Sequence, residues 1–162
     1  TTNNMERHPA RVIVAGFVER DGKLLVIRER PAKLPADHEP VINQPAGHVE
    51  KNETLTDAVV REVMEESGYR VRPVELVGVH QVIVTAEGRT TIAFLFRCEL
   101  VDEIQHPITA TEIVEALWLT QDEIMARASE HRSKTTTARF ETYFSGSRYP
   151  LEVLTQLTKE ER

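Results

Sequence analysis

Apolar and polar positions follow two different periods along this chain. From Arg11 to Val18 (RVIVAGFV) β-branched residues crowd together, break at Glu19-Arg20-Asp21-Gly22, and resume over Lys23-Leu24-Leu25-Val26-Ile27-Arg28. Two such runs about a short Asp-Gly break predict a β-hairpin. Glu29 to Pro40 holds Pro31, Pro35 and Pro40, which donate to no ladder, so it reads as a loop before a short strand at Val41-Ile42. Leu76 to Thr85 and Thr90 to Cys98 read as two further strands joined through Ala86-Glu87-Gly88-Arg89, and Ala116 to Leu119 as another. Three segments read as helix. Leu55 to Ser67 is stopped by Gly68, a second helix opens on Thr120-Gln121-Asp122-Glu123, which suits a capping box, and a third lies at Thr135 to Phe144 before Gly146. The order of elements predicts an α+β fold, a mixed β-sheet covered by helices.

Composition narrows the class. The 162 residues, 40% apolar and 28% charged, suit a single domain over 1–162, with no repeat, low-complexity tract or linker. Twenty Lys+Arg against 26 Asp+Glu give a formal charge of −6, so no overall positive field exists to hold a nucleic-acid backbone. No apolar run approaches the roughly 18–20 residues that cross a bilayer, and the start lacks a basic segment followed by an apolar one. A cytoplasmic protein without membrane partners is expected. Met5 reads as the natural start, and residues 1–8 as a disordered or tag-derived N-terminus. The single cysteine, Cys98, excludes an internal disulfide and a thiolate zinc site, in keeping with a reducing compartment.

The chemistry concentrates in Gly47 to Tyr69, GHVEKNETLTDAVVREVMEESGY. On a helical wheel Val59, Val60, Val63 and Met64 share one side, suited to packing on a sheet, while Glu62, Glu65 and Glu66 fall together on the neighbouring arc. This breaks two local rules. Glu62 and Glu66 are like charges at i, i+4, costing roughly 0.2–0.5 kcal/mol, and Glu65 and Glu66 sit in the last turn, where the helix dipole disfavours anions by about 0.3–1 kcal/mol. Arg61 neighbours only part of the cluster, so a divalent cation is the natural partner, and all-oxygen donors select Mg²⁺ or Mn²⁺ over zinc. Glutamate pairs are also common on solvated helix faces.

The flanking residues decide between these readings. Gly47, Glu53, Arg61, Glu62, Glu65, Glu66 and Gly68 fill every charged and glycine position of G-x5-E-x7-R-E-U-x-E-E-x-G-U, and the chain thereby resembles the Nudix hydrolases; only Tyr69 departs, at a position usually aliphatic. The resemblance implies an α/β/α sandwich with a mixed sheet and hydrolysis of a nucleoside diphosphate linked to another moiety. It assigns Glu62, Glu65 and Glu66 as Mg²⁺ ligands, Mn²⁺ substituting, joined by a backbone carbonyl near Ala46 or Gly47. Glu53 and Arg61 are then a pair that fixes the loop against the helix. A diphosphate repels attacking hydroxide; bound Mg²⁺ cancels that charge and acidifies a water. A further carboxylate outside this Gly47–Tyr69 pattern, the Nudix box, is the candidate base or extra ligand, Glu112 or else Glu115, and Arg28 at a strand end is a candidate phosphate contact. Each of these has the alternative reading of a solvated surface charge.

A narrower likeness rests on Asn43-Gln44-Pro45-Ala46-Gly47-His48-Val49-Glu50 and on Tyr143-Phe144-Ser145-Gly146-Ser147-Arg148-Tyr149-Pro150-Leu151-Glu152, which resemble the NudJ-type phosphatase branch of that family, with His80-Gln81 and Trp118 in register. It departs at the Pro-rich loop Glu29 to Pro40, which is longer. This likeness implies release of inorganic phosphate from nucleoside tri- and diphosphates, or hydrolysis of pyrimidine pyrophosphates of the thiamine type. Arg148 and Tyr149 become candidate substrate contacts, with Gln44 and Asn43 as candidates for orienting the loop or reading the substrate; a packed C-terminal turn is the plainer reading of the first two. His48 reads as a hydrogen-bonding loop residue. No Ser or Cys nucleophile motif is present, which favours direct attack by water. Two competing functions stay open. One is a Nudix-fold binding module without catalysis, against which all the glutamates speak. The other is RNA 5′-end pyrophosphohydrolysis, for which His131, Arg132, Lys134 and Arg139 offer a local basic patch. The partner expected is a small nucleotide or pyrophosphate substrate, and the protein is expected to be a monomer or homodimer.

Overall fold

The computed structural model describes residues 7–161; the reading of the first six residues as tag or disordered start lies outside them. The predicted hairpin is present as β1 (Arg11–Arg20) and β2 (Lys23–Glu29), paired Glu19↔Leu24 and Arg20↔Lys23. Its turn takes positive φ at both Asp21 (52°) and Gly22 (76°), the conformation that matches the twist of the flanking strands. Beyond the turn the two strands separate. β1 pairs in parallel with β6 (Arg89–Gln105) and antiparallel with β4 (Ala46–His48), while β2 pairs with β3 (Val41–Asn43) and β7 (Ile113–Leu119). β5 (Tyr69–Val84) lies antiparallel to β6, and β8 (Tyr149–Pro150) adds to the far edge, giving the order β3-β2-β1-β6-β5-β8.

Three sequence readings were too short. β5 begins at Tyr69 rather than Leu76, because Pro73 is accommodated where the register shifts between Pro73 and Glu75. β6 continues past Cys98 through the polar stretch to Gln105, held by pairing to the start of β5. β7 starts at Ile113 rather than Ala116, and β4 was not expected at all, since three residues of the Asn43–Glu50 segment carry no strand periodicity of their own.

Period-two alternation along β1 divides the core. Val14 and Val18 face a cluster with Leu25, Phe96, Cys98 and the first helix, while Ala15 and Phe17 face a second with Leu95, Ile124, Phe140 and Tyr143. That first helix, α1 (Leu55–Ser67), starts where the Thr54 hydroxyl accepts from Asp57 N and ends where Gly68 adopts φ 79° and its N–H reaches the Met64 carbonyl. Its buried stripe is Ala58, Val59, Val63 and Glu66, one step round from the expected one: Val60 and Met64 are only half-buried. Each buried valine contributes of the order of 1.5–3 kcal/mol. A Cβ at Gly16 would lie 2.7 Å from the Val63 side chain, so α1 sits on bare backbone of β1. The opposite face carries α2 (Gln121–Ala126), with the expected capping box of Thr120 and Glu123, and α3 (Lys134–Phe144). The result is helix, mixed sheet, helices, an α/β/α sandwich.

Candidate active site

A cleft of about 640 Å³ opens beside the C-terminal half of α1, between β4, the end of β2, and the start of α3. β4 brings the loop glycine to it. Gly47 sits directly against Glu62: a Cβ there would lie 2.2–2.4 Å from the carboxylate atoms, so only glycine leaves Glu62 its place. Glu66 lines the same cleft and is 8% exposed, its Oε1 accepting from Ala46 N at 2.7 Å. Burial pushes the Glu66 carboxyl well above the usual carboxylate range, and the charges of Glu62 and Glu29 push the same way against the Ala46 hydrogen bond and Arg132. Glu62 is raised for the same first reason, opposed by Arg61.

Arg61 is the hub outside the cleft. Its Nε donates to Glu53 Oε2 at 2.7 Å and its Nη2 to Glu53 Oε1 at 2.9 Å, a two-pronged pair; Nη2 also donates to the His48 carbonyl at 3.0 Å. Its Nη1 reaches Glu62 at 2.7 Å and Glu65 at 3.3 Å. The Glu53 carboxyl is held below its ordinary range by Arg61 first of all. The expected brace of loop on helix is therefore in place, and it draws in two of the three helix glutamates.

The three glutamates are not gathered into one cage. Among the described residues no three acidic, histidine or cysteine side chains stand close enough to hold a metal ion together. Glu65 lies outside the cleft against Arg61, and Glu66 turns inward to Ala46. The donors nonetheless fit a hard divalent cation: they are oxygens only, and among the described residues the buried Glu66 carboxyl has no ion-pair partner, which is costly for its charged form.

The candidates outside the box separate clearly. Glu112 is exposed and lines the cleft, its carbonyl anchored by Arg30 N at 2.9 Å. Glu115 pairs instead with Arg28 at 2.7 Å, across the β2–β7 register, and neither lines the cleft. Gln44 is fully buried, donating to the Thr136 carbonyl at 2.9 Å, and so braces α3 rather than facing the cleft. Arg148 lies over the Tyr143 ring at 4.3 Å and donates to the Tyr143 and Ser147 carbonyls, while Tyr149 stands half-exposed on β8; both follow the packed-turn reading, away from the cleft. The expected basic patch is divided: His131 is buried against Thr137 and the Ile124 carbonyl, Arg139 is buried at the cleft wall, Arg132 is exposed where it lines the cleft, and Lys134 is exposed outside it. Cys98 is buried and its thiol pushed up to about 12, first by burial, so it is no nucleophile at neutral pH.

Sequence reading missed Glu29, Arg11, Arg89 and Lys33, all of which line the cleft. Glu29 is buried at the end of β2, held by Arg132 at 2.7 Å and Asn43 at 3.3 Å. A charged residue closing an apolar strand was the available signal. The two arginines and the lysine had none, since they come from separate segments.

The NUDIX domain model matches residues 7–140. The chain belongs to the Nudix family. It is 36% identical over 144 residues to the phosphatase NudJ of Shigella boydii serotype 4 and equally to that of Escherichia coli K12, in each case over 88% of this chain and 89% of the relative. Among solved structures, a NUDIX hydrolase from Nitrosomonas europaea superposes with a TM-score of 0.81 at 34% identity, over 92% of this chain and 98% of the other; the solution structure of the E. coli ORF135 protein gives 0.62 at 28%, over 85% and 91%. The protein is thus an enzyme of the Nudix pyrophosphohydrolase and phosphatase class, a family that generally uses a divalent metal and small-molecule substrates.

Proposed function

We propose that this Nudix enzyme hydrolyses a phosphoanhydride of nucleoside tri- or diphosphates, or of a related pyrimidine pyrophosphate of the thiamine type, releasing inorganic phosphate. The observation that carries this reading is the juxtaposition in one cleft of Glu62, Glu66, Glu29 and Glu112 with five cationic side chains, Arg11, Lys33, Arg89, Arg132 and Arg139. The 36% identity to proteins named phosphatase NudJ supports the branch. Mg²⁺, with Mn²⁺ as substitute, would be held by Glu62, Glu66 and the Gly47 carbonyl, Glu65 joining once it leaves Arg61. Bound there, the ion supplies Lewis-acid neutralisation of the diphosphate and an acidified water.

This chain's own residues do the remainder. Glu53 and Arg61 keep α1 and the β4 loop in register, so that Glu62 and Glu66 reach the cleft from fixed positions. Glu112, exposed to solvent at the cleft edge, takes the proton of the attacking water and passes it out. Arg132, held by Glu29, offers its guanidinium to a phosphate oxygen. The test is a panel of nucleotides and pyrophosphates with product identification. Inorganic phosphate formed only with Mg²⁺ or Mn²⁺ is the expected result; pyrophosphate plus monophosphate from a triphosphate would move the cleavage point, and turnover in chelator would overturn the mechanism.

A further inference from the structure

The far side of the cleft carries an imbalance that the box does not explain. Arg139, one turn into α3, lines the cleft and is 7% exposed, yet among the described residues its guanidinium has neither an ion pair nor a hydrogen bond, and its Nε is buried without a partner. Its neighbour in charge is another cation, Arg132, and burial first and Arg132 second push Arg139 down to about 10. Two of the other cations here are better matched: Arg132 holds Glu29 at 2.7 Å and Arg89 holds Glu87 at 2.8 Å. A second nitrogen is also left over, because Arg89 Nε is buried and unpartnered. Arg11 completes the group, its β1 position registered with Thr91 of β6, which lines the cleft too. His48, on β4, lines the same cleft.

A buried, unpaired guanidinium is expensive to hold, and such local violations gather where a ligand completes the set. Five planar donors suit an oxyanion, and the hydroxyls of Thr135 and Ser133 line the same wall. We propose that Arg139, which shares the cleft with Arg132 and Arg89, is an oxyanion subsite that binds a second anionic group of the substrate, other than the anhydride at the glutamates. The substrate class is then a pyrophosphate ester or nucleotide bearing two separated anionic groups, one cleaved and one only held. This specification of substrate rests on the proposed hydrolase reading, but the subsite itself does not need metal or turnover.

The experiment therefore uses inorganic phosphate as probe, with the full chain in chelator. Phosphate is expected to raise the melting temperature of the native protein and to bind at least tenfold more weakly to Arg139→Met, while Glu66→Gln keeps native binding. Arg139→Met without phosphate is expected to melt no lower than native, since an unpaired buried charge has been removed; a residue of merely structural purpose would lower it. Arg139→Lys, which keeps charge but loses the fork, should recover only part of the affinity. Equal phosphate affinity in native protein and Arg139→Met, no phosphate binding by the native protein, or binding that survives at an adventitious ion site only, would each overturn the subsite. Hydrolysis failing while phosphate binding holds would count against the proposed reaction and leave the subsite standing.

Discussion

The two ends of the cleft are built on opposite plans. At the acidic end each carboxylate has an assigned neighbour: Glu53 and Glu62 share Arg61, and Glu66 accepts from Ala46 N. All of these groups come from one stretch of about two dozen residues. At the basic end Arg11, Arg89, Arg132 and Arg139 come from β1, β6, the turn before α3 and α3 itself, and the most buried of them has no partner. The acidic end is locally braced, with oxygen donors that suit a cation. The basic end is assembled at long range, with donors that suit an anion. On the proposed reading, a substrate that brings its metal to the first and a second anionic group to the other would relieve both ends.

The comparison breaks most readily at Glu66. Glu66→Gln keeps the size of the side chain and an acceptor for Ala46 N but removes the carboxylate proposed to hold the metal, so kcat is expected to fall by about two orders of magnitude or more while the circular dichroism spectrum is kept. Undiminished turnover would remove Glu66 from the chemistry. Next in size is Arg61→Lys, which retains charge but loses the two-pronged pair with Glu53 and the reach to Glu62; about 10–100-fold in activity or metal affinity is expected, measured by kinetics across a Mg²⁺ titration. If lysine served equally well, the brace would be merely electrostatic.

Gly47→Ala sharpens the same contrast. Its Cβ would occupy the space of the Glu62 carboxylate, a flexible group that can turn away, so stability should change by no more than about 1 kcal/mol while activity falls roughly tenfold. Urea unfolding and kinetics on one sample separate the two effects. A fully folded, fully active Gly47→Ala would mean that Glu62 has latitude the close contact denies it. The smallest effect is at Cys98, buried beneath α1 with its thiol raised to about 12. Below that pH the group stays protonated, so Ellman's reagent at pH 8 is expected to leave it unlabelled until the protein unfolds. Labelling of the native state would show that α1 lifts from the sheet, and the acidic end would then be less firmly braced than the basic end.

The legibility of the two ends in sequence differs for the same reason. The helix Leu55–Ser67, its stop at Gly68 and the capping box at Thr120 were readable because caps and helical faces are set by residues within four positions of one another. The Glu53–Arg61 brace was readable as part of a contiguous pattern. Strand extents were less so: β5 and β6 run on through Pro73 and through Glu99 to Gln105 because each supplies the other's hydrogen bonds. Arg28, Glu115, Gln44, Arg148 and Tyr149 had the right chemistry for substrate contact, and the fold engages them elsewhere, in the Arg28–Glu115 pair, the hold of Gln44 on Thr136, the stack of Arg148 on Tyr143 and the pairing of Tyr149 with Leu76.

The chain by itself determined its family, its helices and caps, the alternation that splits the core along β1, and the acidic cluster, all of which depend on short-range spacing. Tertiary structure alone decided which charges share a cleft. Pairing of β1 with β4 and β6, and docking of α3 across Gln44, bring together groups separated by up to the span from Arg11 to Arg139. A side chain's electrostatic surroundings are a sum over neighbours in space, and no local pattern of residues encodes that sum.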